Sequence, residues 1–82
     1  MNLCIVTGKI INKPIYKLMI EKNKYSVISM KIKIDGKSII KAKAYNEIAD
    51  EIYKTCNIEN NILIEGYLKN NIEIIINKIK LF

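Results

Sequence analysis

The segment from Val27 to Tyr45 constrains the fold of this chain more than any other part of it. It reads V-I-S-M-K-I-K-I-D-G-K-S-I-I-K-A-K-A-Y. Side chains alternate faces along a strand, so period-two lettering separates a core face from a solvent face. Ile28, Met30, Ile32 and Ile34 share one face, and Ser29, Lys31 and Lys33 the other. Beyond the turn, Ile40, Ala42 and Ala44 point one way, while Ile39, Lys41, Lys43 and Tyr45 point the other. Asp35-Gly36 signals the turn, because Gly tolerates positive φ and Asp often enters such turns. A two-residue loop would pair Lys31 with Ile40 and mix the faces. A three-residue loop, Asp35-Gly36-Lys37, pairs Lys31 with Lys41, Ser29 with Lys43 and Val27 with Tyr45. That register keeps the apolar side chains together and is the one expected. It also sets two ammonium groups opposite each other, which is mildly destabilising. A face that accepts this cost suits a polyanion. The competing reading is a solvated lysine face that only keeps a small apolar protein soluble.

At 82 residues the chain is sized for one domain, residues 1–82, with one modest core. A domain of this size buries only ~60–65% of its unfolded surface. Half of the residues are apolar, with isoleucine dominant, so a self-association surface is expected. The net charge is +6 and every basic residue is lysine, which favours nucleic acid first and a membrane surface second as partner. Lysine without arginine points to phosphate contact rather than bidentate reading of guanine. Isoleucine, lysine and asparagine share A/T-rich codons, and such bias raises the lysine count. It does not align lysines on one face.

No apolar run approaches the ~20 residues that span a bilayer. The start, Met1 to Val6, lacks a charged leader and a cleavage site, so it reads as a strand and not a signal peptide. Cys4 and Cys56 form no paired motif and there is no His, so neither a metal site nor another cofactor is expected. Reduced cysteines fit a reducing compartment. The expected setting is a bacterial cytoplasm or an organelle interior such as a plastid stroma, not a secreted one. With no nucleophile–base pair, no metal cluster and no phosphate-cradling glycine loop, neither an enzyme nor a small-molecule substrate is expected.

Strand one is expected from Asn2 to Ile11, with Gly8 marking a bulge or sharp bend. Pro14 ends it or fixes the turn after it, and the chain is expected to continue as a short irregular strand from Ile15 to Ile20. Glu21 to Lys24 form a polar turn, and the hairpin follows from Tyr25. A helix is expected from Glu47 to Thr55, N-capped by Asn46. Ile48, Ala49, Ile52, Tyr53 and Cys56 would plug it against a sheet. Asn61 to Lys69 is a strand with Ile62, Ile64, Gly66 and Leu68 on one face and Leu63, Glu65, Tyr67 and Lys69 on the other. Asn70-Asn71 makes a tight turn, and Ile72 to Leu81 is the last strand. Three strands, a short helix and two strands is the order of the OB-fold, an all-β, five-stranded Greek-key barrel with its helix between strands three and four. Such barrels bind oligonucleotides or oligosaccharides on strands two and three, where the lysine face lies.

The chain also resembles the bacterial-type single-stranded DNA-binding proteins nearly end to end. The likeness starts at Met1-Asn2 and the strand closing at Thr7-Gly8-Lys9-Ile10, with Pro14 where the family has Asp-Pro. Tyr25 to Met30 resemble the family's Val-Ala-Asn-Phe-Thr-Leu. Ala44-Tyr45-Asn46-Glu47-Ile48-Ala49-Asp50 and Asn61 to Leu68 resemble its aromatic-Gly-Lys-Leu-Ala-Glu and Val-x-Ile-Glu-Gly-x-Leu, at the same separation. Glu73 to Phe82 resemble its closing strand. The resemblance implies largely sequence-independent binding of single strands, in replication or repair, by a homodimer or homotetramer. Tyr45 matches a base-stacking aromatic, Lys41 a basic contact on the same strand face and Lys17 a basic position after the proline. The chain departs from the family in several places. Ile39 stands where the family often stacks a Trp, the loops between strands two and three and between strands four and five shrink to turns, and Phe82 ends the last strand where the family carries a disordered acidic-tipped tail. Similar trimming occurs in primosomal replication proteins.

Lys31, Lys33, Lys41, Lys43 and Lys69 are the expected charge track, with Tyr45 and Tyr67 as stacking platforms. Tyr16 and Tyr25 are ambiguous, and Tyr53 is expected to pack the helix. Leu3 and Ile5 point outward on strand one, and a dimer through that strand would cover them. The alternative function is a primosome-type adaptor barrel that docks protein, and RNA remains open as the bound strand, since no residue pattern here reads a 2′-hydroxyl.

Overall fold

The computed structural model describes residues 3–70 and 72–82. The expected start of strand one at Asn2, and Asn71 in the Asn70-Asn71 turn, lie outside them. The elements are β1 (Leu3–Ile10), β2 (Ile15–Glu21), β3 (Lys24–Ile34), β4 (Ser38–Tyr45), α1 (Asn46–Thr55), β5 (Asn61–Lys69) and β6 (Glu73–Leu81). Their order in the sheet is β1-β5-β6-β4-β3-β2, and an additional β1–β3 pairing closes five of the six strands into a barrel. The helix lies between β4 and β5, the third and fourth barrel strands in chain order, so the fold is the expected OB barrel.

Closure depends on Gly8. Up to that point β1 runs antiparallel to β5, and immediately beyond it Lys9 and Ile10 also pair with Lys33 and Ile32 of β3. A Cβ on Gly8 would lie 2.8 Å from the Lys33 carbonyl oxygen and would clash with the Ile32 side chain. The strand can serve both neighbours only because nothing projects there. Gly66 is equally constrained on β5: a Cβ there would overlap the Ile75 carbonyl, beside the register shift that leaves Asn77 bulged.

The hairpin has the three-residue loop and the register that the lettering predicts, with Val27 opposite Tyr45, Ser29 opposite Lys43 and Lys31 opposite Lys41. Asp35 and Gly36 take φ of 53° and 68°, and the Lys37 amide donates to the Ile34 carbonyl at 3.0 Å. Inward side chains from all five barrel strands and the helix build one core. Ile10, Ile28, Ile32, Ile52, Ile62, Ile64 and Ile74 are its largest fully buried members, with Met30, Ala42, Ala44 and Ala49 between them.

The short irregular strand expected at Ile15 to Ile20 is β2, antiparallel to β3 with Lys17 opposite Val27 and a register shift after Leu18. The structure corrects three local expectations. The turn joining β2 to β3 is only Lys22-Asn23, because Glu21 already pairs with Lys24 and Asn23 supplies a positive φ of 65°. Asn46 does not cap the helix. Tyr45 holds the cap position without a side-chain bond, and Asn46 turns to the neighbouring hairpin. There its Oδ1 accepts from the Tyr25 amide at 2.8 Å and its Nδ2 donates to the Asn23 carbonyl at 2.9 Å. Tyr53 is not a plug: it is exposed and stacks on Tyr16 at 4.4 Å between ring centres.

Candidate nucleic-acid interface

Side chains at paired positions of neighbouring strands share a face, so the ladder registers lay out the barrel surface. One cross-strand row reads Lys69 (β5), Glu73 (β6), Lys41 (β4), Lys31 (β3). The row beside it reads Leu3, Tyr67, Ile75, Lys43, Ser29, Ile15, from β1 across to β2. At about 4.8 Å per strand, the longer row spans about 24 Å.

Over β3 and β4 this face is concave. A hollow of about 280 Å³ is lined by Lys31, Lys41, Lys43 and Glu73 together with Ile15 and Ser29. A second, about 250 Å³, shares Ile15, Ser29 and Lys43 with it and adds Lys17, Val27 and Tyr45. The two form one groove, walled on one side by β2. Its charges are set by geometry. Lys31 and Lys41 are exposed and opposed across the ladder. Lys43 Nζ lies 4.0 Å from Glu73 Oε2. Lys24 Nζ sits over the Tyr45 ring, 4.4 Å from its centre, a cation–π contact on one ring face.

The β2 wall is clasped from behind. The Tyr16 hydroxyl donates to Asp50 Oδ1 at 2.6 Å, and the Ser26 hydroxyl lies 2.9 Å from the same oxygen. These hydrogen bonds, Tyr16 first and Ser26 second, hold the Asp50 carboxyl below the usual carboxylate range. The same bond to Asp50 is the main cause that raises the Tyr16 phenol above its ordinary value. With Tyr53 stacked on Tyr16, the helix holds β2 in place, and Ile15 and Lys17 project from its other face into the groove.

Of the residues singled out in the sequence, Lys17, Lys31, Lys41, Lys43 and Tyr45 meet in this groove. Tyr67 and Lys69 lie on the same face two strands away, reached through β6. Tyr67 is half exposed and sits between Leu3 and Ile75. Lys33 and Ile39 pair with each other beyond the groove. Lys33 lines a separate cleft of about 630 Å³ with Lys9 and Phe82, where Asp35 and Glu59 offset the positive charge. Leu3 and Ile5 point outward on β1 and are more than half exposed. Glu73 and Lys24 were not anticipated. Period-two counting along β6 puts Glu73 with Ile75 on the outer face, but only the parallel β4–β6 pairing sets it beside the lysines.

No family model matches the chain, and no curated protein matches it. Solved structures do. It is similar to the SSB domain of a Synechococcus sp. protein at 18% identity, covering 96% of this chain and 93% of that one, with a TM-score of 0.84. It is similar to a small single-stranded DNA-binding protein from Streptomyces coelicolor at 9% identity, covering 98% and 91%, with a TM-score of 0.84. It also matches the single-stranded DNA-binding protein from Thermus aquaticus at 11% identity and a TM-score of 0.83, all of this chain over 40% of that one. The chain therefore has the OB barrel of single-stranded DNA-binding proteins.

Proposed function

We propose that this chain binds single-stranded DNA without reading its sequence, in replication or repair, by seating the phosphate backbone in the β2–β3–β4 groove. One observation carries the reading: Lys17, Lys31, Lys41 and Lys43 converge with Tyr45 on one concave face, two of them opposed at a cost to the sheet. Single-strand binders combine such a basic groove with aromatic platforms on which bases stack. Tyr45 is the platform, with Lys24 on one ring face and a base on the other. Tyr67 and Lys69 extend the path across β5. The chain acts by binding, not by catalysis.

The variant pair Lys31→Glu with Lys41→Glu tests this in a fluorescence-anisotropy titration with labelled dT oligomers. Binding is abolished if the groove holds phosphate, and retained binding refutes the reading. A primosome-type adaptor would keep its protein docking in the same variant. Parallel titrations with rU oligomers decide between DNA and RNA.

Leu3 and Ile5 form an outward apolar surface on β1, and we assign it to self-association. Light scattering at micromolar concentration then gives a dimer or tetramer, and Leu3→Ser with Ile5→Ser gives a monomer. A monomeric unmodified chain overturns the assignment.

A further inference from the structure

The groove that gathers the lysines also contains a carboxylate. Glu73 is the only acidic side chain among the described residues lining the two joined hollows. Its side chain is 15% exposed and its Oε2 is 4.0 Å from Lys43 Nζ. Its paired neighbours are Lys41 on β4 and Lys69 on β5, so lysines flank it on both sides. Because it is largely covered, it cannot swing out into solvent when a polyanion arrives. A phosphate at this point meets a fixed negative charge and a lysine already engaged.

We propose that Glu73 is a built-in competitor of the phosphate backbone, occupying Lys43 in the free protein and limiting the affinity of the groove. The proposal rests on the nucleic-acid reading above. In the free barrel the carboxylate relieves repulsion among Lys41, Lys43 and Lys69. In the complex it withholds one phosphate contact and opposes the others. The bound strand stays exchangeable, and the binding face counts four working lysines, Lys17, Lys31 and Lys41 in the groove and Lys69 beyond it, rather than five.

Glu73→Gln keeps the shape and removes the charge. Each phosphate contact on a single strand adds about 0.7 to the slope of log K against log salt. Freeing Lys43 therefore steepens the slope by about 0.7, which makes E73Q bind dT oligomers about eightfold tighter at 50 mM NaCl and about threefold tighter at 200 mM. A purely structural role lowers the melting temperature of the free protein but does not steepen the slope. If the unmodified chain binds and E73Q binds no tighter, or more weakly, the proposal is overturned while the binding reading stands. If neither binds, both fall. If only E73Q binds, competition is complete and the proposal holds. The double variant K43Q/E73Q removes the pair without leaving an unbalanced lysine, so it reports even should E73Q fail to fold. Its slope matches the unmodified chain if Lys43 makes no phosphate contact, and a slope shallower by about 0.7 overturns the proposal.

Discussion

Replacing Lys31 with Gln should improve the free protein and impair the complex, and the opposite signs make the test sharp. Lys31 is exposed, faces Lys41 across the ladder, and makes none of the ion pairs found among the described residues. Directly opposed like charges cost roughly 0.2–1 kcal/mol, and screening at an exposed site keeps this near the low end. A relief of about 0.3 kcal/mol raises the melting temperature of a domain this size by about 1–2 °C. Binding moves the other way. Loss of one phosphate contact removes about 0.7 from the salt exponent, so affinity for dT oligomers falls about eightfold at 50 mM salt and much less at higher salt. Differential scanning fluorimetry reads the first effect and anisotropy titration the second, on one preparation. A variant that is less stable and binds equally well would refute the argument and leave the lysine face as a solubility surface.

Tyr45→Ala should weaken binding by about 1–3 kcal/mol, the contribution of one stacked base, as read by anisotropy titration. Gly8→Ala should destabilise the barrel by at least about 1–3 kcal/mol, because the new methyl overlaps the Lys33 carbonyl at the closure, and urea unfolding measures it. Asp50 has its carboxyl lowered in the folded state by Tyr16 and Ser26, so its stabilisation is full above the unfolded value of about 3.9 and is lost as pH falls through the folded value. Thermal melts from pH 6 down to about 2 should therefore be flatter for Asp50→Asn than for the unmodified chain.

The hairpin was legible because local information fixed it. Asp35-Gly36 set the turn, and only one register kept Ile28, Met30 and Ile32 on the face of Ala42 and Ala44. Gly8 was legible as a bend for the same reason, a missing side chain inside an alternating strand. The role of β2 was not. Its Leu18 and Ile20 are exposed, and its ladder shifts register between Leu18 and Glu21, so the lettering carries no clean alternation. Asn46 was misread because a short polar side chain before a helix has two uses, and the nearby two-residue turn at Lys22-Asn23 took the second. Glu73 joined the lysines through parallel pairing of β4 and β6, strands separated by the helix and β5. That pairing follows from closing the barrel, and no local pattern encodes it. Lys33 was counted into the track because it shares a strand face with Lys31, yet Lys9, Asp35 and Glu59 surround it at the far end of the face.

The salt dependence of binding to a dT oligomer tests the central claim most directly. With Lys17, Lys31, Lys41 and Lys69 on phosphates, log K should fall against log salt with a slope of about −3. A salt-independent affinity, or no binding at 50 mM salt, would contradict the account.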